Sequence, residues 1–190
     1  MRGEWSPEER VESWTLLGDD WKRVGNKSGA TRLGFAVLLK FFELEARFPR
    51  AASDVPPGAV AYVAEQVGVP AARFADYWQV ARAVKRHRVE IRGVFGFREA
   101  TRADEETLTA WLAEEVCPVE LVDAVLVRCR ALQIEPPGRI ERIVGSARAR
   151  FEQRFCAQTV EPAGFAVRGA ARGARRRGGR RAVGSGVWRS

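Results

Sequence analysis

Apolar residues recur along this chain at spacings of three and four, and alternation of period two is never sustained beyond about four or five residues. The pattern predicts an all-α fold. Ser6-Pro7-Glu8 supplies a capping oxygen, a proline suited to the first helical position and an acid near the positive end of the dipole. A helix is predicted from there to about residue 17, carrying Val11 and Trp14. After a turn at 25–29, residues 31–48 are apolar around most of a helical circumference (Leu33, Phe35, Val37, Leu38, Leu39, Phe41, Phe42, Leu44), as suits a helix at the centre of its domain. Prolines 49, 56 and 57 break the chain. Further helices are predicted over 59–67, 71–77 and 80–95, from about Asp104 through Val116, from Pro118 through Cys129, and over 139–155. The last places Ile140, Ile143, Val144, Ala147, Phe151 and Phe155 on one stripe. That makes about eight helices in two small modules, 1–52 and 53–157.

Beyond residue 157 the pattern fails, and Gly, Ala and Arg supply nearly everything. Residues 158–190 are predicted to be a disordered tail. The tail also changes the meaning of the net charge of +8: residues 157–190 hold eight arginines and one acid, leaving the body at about +1. The longest nearly apolar run, 34–42, is interrupted by Lys40 and falls far short of the roughly 20 residues that span a bilayer. No apolar segment of a secretory signal stands near residue 1, so a cytoplasmic, reducing location is expected, with Cys117, Cys129 and Cys156 as free thiols.

Candidate chemistry is sparse. Nucleophilic triads need a base, and the chain's single histidine, His87, falls on the apolar face of helix 80–95 with Val80, Val84, Ile91, Val94 and Phe95. That is the position of a packed histidine. The acid pairs Asp19-Asp20, Asp104-Glu105-Glu106 and Glu114-Glu115 suit helix starts and solvated faces. The Lys27-Ser28 step lacks the spacing and the preceding strand of a phosphate-binding loop. No catalytic residue, metal ligand or cofactor site is expected.

The other face of helix 80–95 says more. Arg82, Lys85, Arg86, Arg88 and Arg92 oppose the apolar stripe against one acid, Glu90, a concentration of positive charge that attracts phosphates. Just before it, residues 59–77 read as two helices about a turn at Gly68, the spacing of a helix-turn-helix unit. Arg73, Asp76 and Gln79 would project from its second helix, where Arg suits guanine and Gln suits adenine.

A series of motifs in fixed order adds to this: Thr31-Arg32-Leu33-Gly34-Phe35-Ala36, Arg47-Phe48-Pro49, Val55-Pro56, Val63-Ala64-Glu65-Gln66-Val67-Gly68-Val69, His87-Arg88 with Ile91, and Phe95-Gly96-Phe97-Arg98. Trp111-Leu112-Ala113, Pro136-Pro137-Gly138 and Ile140-Glu141-Arg142-Ile143-Val144 continue it. Over roughly residues 14–155 the chain thereby resembles the N-terminal region of Tn-three-type replicative transposases. The resemblance implies an all-helical segment that binds double-stranded DNA at the transposon's terminal inverted repeats. It also implies that the three metal-binding carboxylates of strand transfer lie in a distant RNase-H-like domain, to which nothing here corresponds. Arg32, His87, Arg88 and Arg98 occupy motif positions and inherit a general expectation of nucleic-acid contact.

The departure from the family begins at about Glu161, where the Gly, Ala and Arg mixture looks like GC-rich DNA read out of frame. A frameshifted or truncated remnant is expected; the alternative is a genuine arginine-rich tail that binds nucleic acid non-specifically through Arg168, Arg172, Arg175, Arg176, Arg177, Arg180 and Arg181. The functional expectation is a non-enzymatic DNA-binding portion of a transposase. A helical protein-interaction module that meets an acidic partner is the other reading of the same surface.

Overall fold

The computed structural model describes residues 6–115 and 121–160, with side chains from 6–114 and 121–156. Over these the protein is all-α, with nine α-helices and two short strands among the described residues. Cys117, the predicted helix start at Pro118 and the expected tail from residue 161 onward lie outside them, whereas residues 158–160, expected to begin that tail, close the last helix. Chain contacts divide the molecule into Met1–Phe151 and Glu152–Ser190, and the second unit contributes the end of the last helix to the described residues.

Helix α1 (Pro7–Trp14) starts as predicted, with the Ser6 hydroxyl accepting from the Glu9 amide at 3.2 Å and the Glu9 carboxylate accepting from the Ser6 amide at 3.0 Å. Helix α2 (Gly18–Gly25) is absent from the sequence expectation. The central helix α3 (Gly29–Glu45) is buried from Leu33 through Phe42, and it ends where Ala46 turns left-handed at φ 53°. Lys40, on this buried stretch, lies between the carboxylates of Glu43 and Asp20, the latter 3.9 Å away. A single 3₁₀ turn, Ala52–Asp54, then leads to α4 (Pro57–Val67), α5 (Arg73–Gln79) and α6 (Ala81–Phe95). Helix α3 packs most extensively on α5, α4 and α6.

One apolar cluster runs from Trp14 to Ile91 and holds both Phe48 and Val55. The proline-rich break between them is therefore a turn whose two sides pack into the same cluster. A second cluster, from Leu108 to Ala147, belongs to α7 (Arg102–Glu115), α8 (Leu121–Ala131) and α9 (Ile140–Val160). Between them β1 (Arg98–Glu99) pairs in parallel with β2 (Ile134–Glu135). The stripe of α9 is buried from Ile140 to Ala147, whereas Phe151 and Phe155, expected on its buried side, are exposed.

Candidate nucleic-acid interface

Helix α6 positions the residues of interest, and its inner face fixes its rotation. Val84, His87 and Ile91 are buried in the first cluster. Val80 stands outside the helix as its non-helical cap, at φ −99° and ψ 70°, and is exposed, as is Val94; the apolar face is thus narrower than its sequence pattern. The Tyr77 hydroxyl lies 3.0 Å from His87 Nδ1, the two rings stack at 5.7 Å, and Phe35 meets the imidazole edge-on at 5.1 Å. Burial raises the Tyr77 pKa, so the phenol stays protonated and its hydroxyl serves as the hydrogen-bond partner of Nδ1, while Nε2 is buried with no partner among the described residues. Burial, with Lys27 next in weight, lowers the His87 pKa to about 4. A neutral, fully enclosed imidazole cannot meet a phosphate. His87 is a core histidine, and the contact role implied for it by the family resemblance is corrected.

The cations sort into two groups. Arg88 donates to the Pro49 carbonyl at 2.8 Å while its guanidinium lies over Phe48 and Trp78, so it fastens the proline turn to α6. Arg92 is mostly buried between Glu135 and Glu99. Arg98 grips Asp104 with both terminal nitrogens, at 2.5 and 2.7 Å. Asp104 also accepts from the Thr101 amide and hydroxyl at the start of α7, and these bonds, Arg98's first, hold its carboxyl well below the usual range. Arg73 pairs with Asp76 at 3.2 Å on the exposed side of α5. Gln79 is exposed at the end of that helix, and Arg32 is half-buried with its Nε unpartnered. Arg88 and Arg92 are thus engaged within the fold, which removes them from the expected cationic face of helix 80–95, and Arg98, a residue of the family motif on β1, is paired as well.

Arg82, Lys85 and Arg86 remain. All three are exposed, and among the described residues no carboxylate lies within ion-pair distance of them. Glu90, the one acid of α6, is drawn away by Lys27 at 2.9 Å, and Lys27 itself sits 3.7 Å over the Phe35 ring. Sequence reasoning missed this Lys27–Glu90 pair, together with the Tyr77–His87 bond and the acceptor Glu135. Their partners are ten to sixty-three residues apart, beyond the reach of any local pattern. Among the described residues no three His, Cys, Asp or Glu side chains converge to hold a metal, and no helix is long and apolar enough to cross a membrane. Cys129 is buried and Cys156 exposed, both as free thiols.

This arrangement can attract and hold a polyanion along one helix edge; among the described residues no nucleophile stands paired with a base. Comparison with known proteins agrees with the transposase resemblance. The chain is 28% identical over 161 residues to the transposase for transposon Tn3926 of Escherichia coli, an alignment covering 81% of this chain and 16% of that protein. It therefore spans about one sixth of that relative's length. A family model described as a domain of unknown function, DUF4158, matches residues 1–147, and with most of its length so matched the chain belongs to that family.

Proposed function

We propose that the protein is the DNA-binding portion of a transposase, gripping double-stranded DNA at the transposon's terminal inverted repeats and performing no strand chemistry itself. The observation that carries this reading is the open trio Arg82, Lys85 and Arg86 on an α6 whose Glu90 and Arg92 are ion-paired and whose Arg88 is turned inward onto the Pro49 carbonyl and the Phe48 and Trp78 rings. Three cations without carboxylate neighbours release condensed counterions when they meet phosphates, and each contributes about −0.9 to the salt slope of binding, roughly −3 in total. Kinship to a transposase supplies the kind of polyanion.

The test is a gel shift on the DNA ends flanking the gene against scrambled duplex of equal length, at about 0.15 M salt. The intact chain and a chain ending at Val160 are compared, because the arginines beyond that point would by charge alone add affinity for any nucleic acid. Preference for the flanking ends by the shortened chain is the expected result. Lys85→Ala with Arg86→Ala should lower the salt slope by up to about 2. Equal binding to both duplexes, or an unaltered slope, would place recognition elsewhere.

A further inference from the structure

On α6 the open cations share their edge with two residues that no charge argument explains. At 100° per residue Arg82, Lys85, Arg86, Val89 and Gly93 fall within an arc of about 100°, and all five are exposed. Val89 is 55% exposed in the middle of a fifteen-residue helix. A Cβ added at Gly93 would meet nothing within 4 Å, so the space over that position is open. The edge runs about 16 Å from Arg82 to Gly93. It is cationic at its start, apolar at its middle and without a side chain near its end, and the acid on the same helix, Glu90, is held aside by Lys27.

From this placement we infer that α6, and not α5, enters the major groove, with Val89 against a thymine 5-methyl group and Gly93 allowing the backbone to approach the base edges. The inference rests on the DNA-binding reading above and assigns its base-reading element. A major groove about 12 Å wide admits one helix, and its apolar feature is the thymine methyl, which small aliphatic side chains contact. Arg82, Lys85 and Arg86 lie at the entering end, where phosphates flank the groove. Helix α5, the second helix of the helix-turn-helix pair, is a weaker reader: it has seven residues, buries Phe74 and Tyr77, and holds its one arginine on Asp76.

The experiment uses the full chain and duplexes selected by it from a random library. Uracil replaces thymine at each selected position, which removes only the methyl group. One replacement should weaken the wild type about four-fold, the value of one buried methyl group, and leave Val89→Ala unaffected. Gly93→Leu should retain the wild-type unfolding midpoint, or raise it, and bind the selected duplex at least ten-fold less tightly, because the added side chain blocks the approach. Binding that ignores both uracil and Gly93→Leu while Arg73→Ala or Gln79→Ala alters the selected sequence would assign reading to α5 and overturn the inference, with DNA binding intact. A wild type that retains no duplex at all would overturn the DNA-binding reading as well.

Discussion

Tyr77 occupies the space that a side chain at position 34 would fill: a Cβ on Gly34 would come within 2.1 Å of the Tyr77 ring. The glycine on α3 thereby lets α5 approach, and the tyrosine it admits carries the hydroxyl that bonds His87 Nδ1 on α6. One small residue thus locates two helices. Gly34→Ala should cost about 3 kcal/mol, since the ring and the added methyl cannot both remain in a close-packed core, and the shift of the urea midpoint measures it. An unshifted midpoint would show that the α3 and α5 helices separate without penalty. His87 adds a dependence on pH. Its folded pKa of about 4 lies below the ordinary 6.5, through burial first, Lys27 second and Arg86 after Glu90's opposing effect. Between those values the unfolded chain binds the additional proton, so the contribution is full above about pH 6.5 and declines as pH falls toward 4. Going from about pH 7 to about pH 5 should remove about 2 kcal/mol from the wild type. His87→Phe should lack that step, and equal slopes for the two proteins would show that the imidazole titrates in contact with solvent.

Among the elements, those with a long, regular apolar stripe were legible in the sequence: α3, α6 and the first half of α9 follow from spacings of three and four alone. Helix α2 was not, because eight residues bounded by glycines, with Val24 as their buried residue, carry too few apolar positions to set a period. Two-residue strands have no alternation to read, and β1 and β2 stand 36 positions apart, between Arg98 and Ile134. The candidate site divides in the same way. Which cations line the outer side of α6 follows from its periodicity; which of them are already engaged does not, since Arg88 is held by Pro49 and Arg92 by Glu135 from distant elements. Phe151 and Phe155 show the reverse case, where the period continues but the core it would join ends at Ala147.

Across Met1–Phe151, the two apolar clusters are fastened mainly by polar contacts. Arg92 on α6 binds Glu135 on β2, Arg130 on α8 donates to the Leu44 carbonyl at 2.7 Å, Arg50 meets Glu141 on α9 at 3.3 Å, and β1 pairs with β2. The Arg50 pair is exposed at both ends and contributes little. Arg92 and Glu135 are shielded, whereas Glu99, the other carboxylate on Arg92 at 3.4 Å, is exposed, so loss of the Glu135 charge leaves the guanidinium with its weaker partner alone, at a cost of about 2 kcal/mol. An apolar core resists partial opening because every contact is lost together, whereas a seam held by a few side chains opens locally at a fraction of the global free energy. Glu135→Gln should therefore raise amide exchange in α7, α8 and α9 by roughly thirty-fold, the equivalent of that cost, while amides of α3 retain their protection. Hydrogen exchange read by mass spectrometry separates the outcomes. A uniform rise along the chain would mean that the clusters unfold as one cooperative body and that the polar seam is as strong as the cores it joins.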